Sequence, residues 1–212
     1  MAQVYVQYGC GLSAPVEWTN FDASPTLRIQ KTPLVGSILK SRLNVTFPKN
    51  VKYGDIVSGL PVAADSCDGL YCSHVLEHLS LQDFRAALKN SFKILKKGGL
   101  FRCVVPDLEK LAREYITSLD QGDAQASVKF VGFNTILGTE SRPKGFKGLI
   151  NNFLGNANHL WMWDHLSLSE ELKKAGFINI RRCKYNDSSD PMFKYVEDPV
   201  RFEGAVALEC SK

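Results

Sequence analysis

The segment that decides the fold is residues 68–106, which read DGLYCSHVLEHLSLQDFRAALKNSFKILKKGGLFRCVVP. Its first part, residues 68–75, is rich in apolar and aromatic residues and predicts a strand. A helix follows, because four apolar residues repeat at helical spacing: Phe84, Leu88, Phe92 and Leu95. Residues 100–105 are again apolar and predict a second strand, which Pro106 stops. Strands that alternate with helices favour an α/β fold with a parallel sheet.

Local signals mark the ends of two predicted helices. Ser80 with Asp83 forms the pattern of a capping box at the start of the first helix. Gly98 is expected to lie just past its end, where glycine is common because it adopts left-handed backbone angles. Ser167 with Glu170 predicts the cap of a later helix.

The alternation continues on both sides of this segment. Further strands are expected at residues 4–8, 18–21, 51–53, 177–183 and 204–210, with a helix at about residues 32–43. We expect a single domain over residues 1–212. Within it, residues 121–163 lack strand patterning and are too long for a plain connection, so they predict a lid or substrate wall.

Composition excludes several classes of protein. The chain has 212 residues and a formal net charge of +4, which is mild for a nucleic-acid binder, so no nucleic-acid partner is expected. The six cysteines are irregularly spaced, which is typical of buried thiols in a reducing compartment. No signal peptide and no apolar run of about 18 residues is visible, so we expect a cytoplasmic protein without a membrane span.

Ligands of open parallel sheets bind beyond the carboxyl ends of the strands. Gly9-Cys10-Gly11 follows the first predicted strand, and glycine there lets the backbone approach a ligand closely. Asp22 ends the second strand, where a carboxylate can accept hydrogen bonds from both ribose hydroxyls. Asp22 fits a turn or helix cap equally well. Asp55, after the third strand, taken alone is an ordinary surface aspartate in a turn.

The glycine loop fits a dinucleotide-binding fingerprint poorly. Asp22 follows Gly11 by only 11 positions, and the third glycine is missing. Pro15 also stands where a first helix would be growing. The first helix should therefore be reduced to a turn or absent, and an NAD-dependent oxidoreductase is the weaker alternative.

Several motifs occur together, in order and at fitting spacings: Asp55, Leu60-Pro61, Asp68-Gly69-Leu70, Val75-Leu76-Glu77-His78 and Leu95-Lys96-Lys97-Gly98-Gly99. Together they resemble the type 11 group of class I S-adenosylmethionine-dependent methyltransferases, over roughly residues 3–110. Two further stretches, Gly9–Gly11 followed closely by Trp18–Asp22 and Val105–Leu108 after the fifth strand, resemble a subgroup of predicted methyltransferases with a shortened first helix. The resemblance implies a Rossmann-like, mostly parallel sheet with helices on both faces and an antiparallel last strand. It also implies S-adenosylmethionine as the cofactor.

The resemblance implies a role for each cofactor-binding residue. The loop Tyr8-Gly9-Cys10-Gly11 would pack against the methionine part of the cofactor. Asp22 would hold the ribose hydroxyls, and Asp55-Ile56 would frame the adenine. Ser73-His74 would line the methionine side at the end of the fourth strand.

Residues 158–165, Asn-His-Leu-Trp-Met-Trp-Asp-His, predict the acceptor side of the site. His165 is our first candidate for a catalytic base and His159 the second, although a base is needed only for an acceptor protonated at neutral pH. Trp161 and Trp163 would either contact the acceptor or fill the core. We expect a small-molecule or glycan-type acceptor. A non-catalytic binding module that has kept the fold is the alternative.

A metal site is not expected from the sequence. Cys67, Cys72, His74 and His78 lie close together, but their spacing matches no common zinc site, so buried thiols and loop histidines are the favoured interpretation. The sequence gives no indication of the oligomeric state.

Overall fold

The computed structural model describes residues 3–32, 45–139 and 158–212. The strands are β1 (Tyr5–Tyr8), β2 (Thr19–Asp22), β3 (Val51–Tyr53), β4 (Cys67–Ser73), β5 (Leu95–Pro106), β6 (Ile178–Arg182) and β7 (Ala205–Ser211). The α-helices are α1 (Pro25–Lys31), α2 (Leu81–Ile94), α3 (Leu108–Asp120), α4 (Ala126–Val128), α5 (His165–Lys174) and α6 (Pro199–Phe202). Turns of 3₁₀ helix occur at Leu76–His78 and Pro191–Tyr195, and a π-helical turn at Lys129–Asn134.

The strands form one seven-stranded sheet in the order β3-β2-β1-β4-β5-β7-β6. β1 to β5 pair in parallel, while β7 runs antiparallel to both β5 and β6. The expected Rossmann-like sheet with an antiparallel last strand is therefore confirmed. The chain leaves β1 towards β3 and returns on its other side as β4, which creates a crevice between β1 and β4 where ligands of such sheets bind.

Both faces of the sheet are covered. On one face, α2 and α5 pack on alternate strand residues in the larger core cluster, which includes Tyr8, Leu70, Phe84, Leu88, Phe101 and Leu172. The opposite face carries a smaller cluster that includes Tyr5, Trp18, Tyr71, Val104 and Phe193. Successive residues of one strand therefore enter different clusters, as the period of two requires. None of the described helices is long and apolar enough to cross a membrane.

No helix connects β1 to β2, as the short interval predicts. Residues 9–18 form turns instead. The buried Gln7 side chain holds them in place, because its amide donates to the Ser13 carbonyl at 2.8 Å and to Asn20 Oδ1 at 2.6 Å. The loop after β1 is thus fixed from beneath by side chains of β1 and β2.

The prediction that Gly98 ends α2 was wrong. The helix ends at Ile94, and β5 begins at the next residue. Gly98 lies inside β5 with a φ of 79°, and its amide donates to the Lys212 carbonyl at 2.9 Å. Between two pairings β4 advances from Cys67 to Gly69 while β5 advances from Leu95 to Leu100, so the glycine serves a bulge in the strand.

The prediction that Ser167 caps the later helix was also wrong. Asp164 is the N-cap of α5, and its carboxylate accepts from the Ser167 amide at 2.8 Å, while Ser167 Oγ accepts from the Asp164 amide at 3.2 Å. Aspartate is as good a cap as serine, and here it completes a capping box one turn earlier. Helix α1, capped by Ser24, was not predicted. Beyond Thr32, which follows α1, the helix expected at about residues 32–43 lies outside the described residues.

Candidate active site

A cavity of about 340 Å³ opens at the carboxyl ends of β1 to β4. Six of the nine residues predicted to bind a cofactor line it: Tyr8, Gly9, Asp22, Asp55, Ile56 and His74. These residues come from four separate loops, and the parallel strand order brings them to one edge of the sheet. We call this space the first cavity.

The other three predicted residues, Cys10, Gly11 and Ser73, line an adjoining cavity of about 490 Å³. The two cavities share Tyr8 and Gly9, so the turn after β1 forms the wall between them. The structure therefore distributes the nine residues over two neighbouring spaces. We call the larger one the second cavity.

Asp22 has the turn role that the sequence allowed for it, and it also lines the first cavity. Its Oδ2 accepts from the Gly11 amide at 2.9 Å, and its Oδ1 accepts from the Ser24 amide at 2.8 Å. The side chain thus ties the loops after β1 and β2 together while it lines the first cavity. A carboxylate has about four acceptor positions, so two remain for a ligand.

The loop after β3 forms a tight turn at the first cavity. Asp55 Oδ1 accepts from the Val57 amide at 2.9 Å, and Oδ2 accepts from the Ser58 hydroxyl at 3.0 Å. These bonds give Asp55 the turn role that the sequence also suggested. Ile56 is buried behind it and contributes an apolar wall.

His74 adopts a left-handed backbone conformation with a φ of 54°, an uncommon one for a non-glycine residue. Its Nε2 donates to the Arg201 carbonyl at 2.9 Å, and its Nδ1 lies 3.3 Å from Glu77 Oε1. Burial opposes the charged form, but the contacts with Glu77 and Arg201 outweigh it and raise the pKa of His74. The raised pKa favours the charged form of this imidazole, which borders the first cavity.

Neither candidate base lies in the described lining of either cavity. His159 is buried, its ring centre is 4.9 Å from that of His78, and burial lowers the pKa of His159. His165 is the first residue of α5, and its buried Nδ1 has no hydrogen-bond partner among the described residues. Trp163 fills the core, since it stacks on Phe84 with ring centres 4.1 Å apart.

Some residues that line the two cavities were not predicted from the sequence. Val75, His78 and Leu79 also line the first cavity. They directly follow Ser73-His74 and include part of the recognised Val-Leu-Glu-His motif, so this motif was the available signal. Arg201 lines the second cavity from the C-terminal part of the chain, where no sequence pattern pointed to a ligand.

Comparison with known proteins places the chain in a family. A sequence model described as "Methyltransferase domain" matches residues 13–181, which is most of the chain. An uncharacterized protein of Saccharomyces cerevisiae is 27% identical over 122 residues, which make up 58% of this chain and 13% of that protein. The chain therefore spans only about an eighth of the length of this curated relative.

Solved structures of low sequence identity share the fold. An S-adenosylmethionine-dependent methyltransferase of Thermotoga maritima, a possible histamine N-methyltransferase, has a TM-score of 0.51 and 18% identity, over 100% of this chain and 83% of that one. The CMeT domain of the citrinin polyketide synthase has a TM-score of 0.50 and 13% identity, over 99% and 46% of the two chains. The chain belongs to the methyltransferase domain family and has the fold of the class I S-adenosylmethionine-dependent methyltransferases.

Proposed function

We propose that this chain transfers a methyl group from S-adenosylmethionine to a small-molecule or glycan-type acceptor. The observation that carries the proposal is the first cavity, which brings Gly9, Asp22, Asp55 and His74 from four loops to the crevice of the sheet. Family membership supports it, because the matched region includes β2 to β5 and the loops between them.

The first cavity offers groups suited to an adenosyl moiety. The two free acceptor positions of Asp22 would take the ribose hydroxyls. Ile56 and Leu79 would contact the adenine, because both present apolar surface to the cavity. The methionine part would pass Gly9 into the second cavity, where Gly11 and Ser73 lie.

Arg201 would hold the methionine carboxylate. In many folds of this kind an anion binds at the N-terminus of the first helix, but residues 9–18 form no such helix. Arg201 is the only cationic side chain in the described lining of the second cavity, and arginine pairs well with carboxylates. It would therefore supply the positive charge that the missing helix does not.

The reaction needs an acceptor atom in line with the methyl carbon and the leaving sulfur. The acceptor forms the new bond to the methyl group while the carbon–sulfur bond breaks, and the sulfonium becomes the neutral thioether of S-adenosylhomocysteine. A hydroxyl acceptor also loses a proton, for which His165 and then His159 are the candidate bases. An amine acceptor would need only to be unprotonated.

Residues 121–163 would cover the acceptor. Of this segment, α4 and the π-helical turn that follows expose apolar side chains, namely Val128, Val131 and Phe133. Such exposed side chains give the segment a surface that can pack onto a bound molecule.

The six free and buried cysteines also fit the proposed cytoplasmic location.

Calorimetry with S-adenosylmethionine, S-adenosylhomocysteine and NAD tests the proposal. The first two should bind, and Asp22→Asn should weaken binding about tenfold or more, the effect of a lost hydrogen bond to a charged group. The exposed Asp120→Asn is the matched control and should bind as the parent does. Binding of NAD instead would support the oxidoreductase, and cofactor binding without methyl transfer to any small molecule of a lysate would support the non-catalytic module.

A further inference from the structure

A carboxylate and two imidazoles converge beside the first cavity, apart from the predicted cofactor residues. Ligand atoms of Glu77, His78 and His159 all lie within 4.8 Å of one another. Glu77 and His78 come from the turn after β4, and His159 comes from the segment before α5. These three residues are called the Glu-His-His cluster below.

The backbone fixes this arrangement. The Glu77 carbonyl accepts from the amides of Leu160 and Trp161, at 2.7 and 3.1 Å. The Asn158 carbonyl lies 3.1 Å from His78 Nδ1. Two chain segments far apart in sequence are therefore joined on both sides of His159, so the cluster is not a chance contact of mobile side chains.

The Glu77 side chain lacks the partners that a buried carboxylate needs. It is 0% exposed, and neither of its oxygens has a hydrogen-bond partner among the described residues. The nearest contact in the described part of the chain is His74 Nδ1, which lies 3.3 Å from one oxygen, Oε1. His159 adds a second buried atom, Nδ1, that is without a partner in the described part of the chain. Unpaired buried groups of this kind destabilise the folded protein unless a cation or a proton compensates them.

We propose that Glu77, His78 and His159 bind one divalent transition-metal ion. One carboxylate with two imidazoles is the ligand set of several catalytic zinc sites, in which a fourth position stays open. The same set also suits other first-row ions, since imidazole and carboxylate bind several of them.

The hydrogen bond of His78 fits this role. A carbonyl oxygen only accepts, so the contact with Asn158 places the proton of neutral His78 on Nδ1 and leaves the Nε2 lone pair free. Histidines that bind a metal commonly donate a hydrogen bond from their other ring N–H to such a carbonyl.

The distances require only a small closure. His78 Nε2 lies 4.0 Å from Glu77 Oε1. Tetrahedral ligands about 2.0–2.1 Å from zinc are about 3.4 Å apart. Side-chain rotations must therefore bring this pair closer by about 0.6 Å, and a pair at the 4.8 Å limit of the cluster by about 1.4 Å. A metal was not expected from the sequence because His159 lies 81 positions beyond His78, far from the group Cys67, Cys72, His74 and His78.

The position of the ion points to a hydroxyl acceptor, a step that rests on the proposed function. His78 also lines the first cavity, so the open coordination position lies beside the proposed cofactor. A bound ion lowers the pKa of a coordinated hydroxyl, as it does for water. The acceptor oxygen would lose its proton to solvent or to a nearby base before it attacks the methyl carbon.

The experiment titrates the chelator-treated full chain with Zn²⁺ by calorimetry and with Co²⁺ by visible absorption. One ion should bind per chain, and His159→Ala and Glu77→Gln should each weaken binding on the order of 100-fold. His165→Ala changes a histidine outside the cluster and should bind Zn²⁺ as the parent does. Thermal unfolding without metal shows whether each variant is folded. If His159→Ala is unfolded, His159→Asn takes its place.

Three results would overturn the metal site: no saturable binding in the parent chain, equal Zn²⁺ affinity in folded His159 variants, or loss of binding on Cys72→Ser. S-adenosylhomocysteine calorimetry on the same samples keeps the two proposals apart. Cofactor binding without Zn²⁺ binding would refute the metal site alone, and the reverse would refute the proposed function alone.

Discussion

Gly9 lies so close to Val75 that a β-carbon on the glycine would stand 2.1 Å from Val75 Cγ2. Gly9 follows β1 and Val75 follows β4, and both line the first cavity. The contact therefore holds the two central loops of the site against each other. Gly9 also has a φ of 63°, so glycine is required there for two separate reasons.

We expect Gly9→Ala to lower the free energy of unfolding by about 2–4 kcal/mol. About half of this loss comes from the left-handed backbone conformation, which alanine disfavours, and the rest from the overlap of the new methyl group with Val75. The measurement is urea denaturation, together with calorimetry of S-adenosylhomocysteine, whose affinity should fall because the cavity wall shifts.

Gly11→Ala is the control for this prediction. Gly11 has a φ of 54°, but nothing lies within 4 Å of a β-carbon placed on it. Gly11→Ala should therefore lower the free energy of unfolding only by the part that comes from the backbone conformation, about 1–2 kcal/mol. Adding Val75→Ala to Gly9→Ala should restore part of the stability. Equal losses at Gly9 and Gly11 would show that the contact with Val75 contributes nothing.

Arg102 in β5 provides a prediction about the opposite face of the sheet. Its guanidinium is 0% exposed and contacts Glu197 at 2.6 Å and Glu209 at 2.7 Å. Arg102→Met would leave the buried Glu197 carboxylate without its cation and Glu209 with Arg181 alone, at a cost of about 3–5 kcal/mol. Denaturant unfolding measures this loss. Arg102→Lys keeps a charge and should lose clearly less, and similar losses in both variants would contradict the electrostatic explanation.

The ion pair between α2 and α5 makes stability depend on pH. Arg85 donates two hydrogen bonds to Glu171, at 2.7 and 2.9 Å, and these lower the pKa of Glu171 from 4.5 to about 2. Because the pKa is lowered on folding, the pair stabilises fully above pH 4.5, and this contribution is lost as the pH falls towards 2.

Glu171→Gln should therefore lose about 1 kcal/mol at pH 7, since Arg85 is partly exposed and solvent weakens the pair. The difference from the parent should shrink below pH 4.5. Glu170→Gln is the neighbouring control, because Glu170 is exposed and its contact with Lys174 is long, at 4.0 Å. A difference that stays constant from pH 7 to pH 3 would exclude titration of Glu171 as its cause.

The role proposed for Arg201 can be separated from a general effect on the site. Arg201→Gln should weaken S-adenosylhomocysteine binding roughly tenfold, about 1.4 kcal/mol, through the lost contact with the carboxylate. Methylthioadenosine lacks the amino-acid part, so its affinity should not change. The backbone carbonyl that His74 binds is kept in this variant. A parallel loss for both ligands would assign Arg201 a structural role only.

Local patterns predicted the parts of the fold that depend on local sequence. Strands β1 to β5 and helix α2 were expected because apolar and aromatic runs and a helical repeat are visible within single segments. Their order also predicted that Gly9, Asp22 and Asp55 come together, since parallel strands carry their following loops to one edge of the sheet.

Features that need a distant partner were not predicted. Gly98 looked like a helix end because the pairing of β5 with β4 and the contact with Lys212 cannot be seen in the sequence. His159 was not connected with Glu77 for the same reason. Its position depends on the two amides that bind the Glu77 carbonyl, more than 80 residues away.

The last prediction concerns residues 121–163 as a cover for the acceptor. Their described parts include Phe133 and Trp161, whose side chains are exposed. Exposed aromatic side chains favour contact with another apolar surface. Amide hydrogen exchange in this segment should slow when S-adenosylhomocysteine is added, while the buried amides of α2 serve as the unchanged reference. His165→Ala should lower the rate of methyl transfer to lysate small molecules about 100-fold or more if the imidazole is the general base. Unchanged exchange together with full activity of the variant would show that the segment and His165 only support the fold.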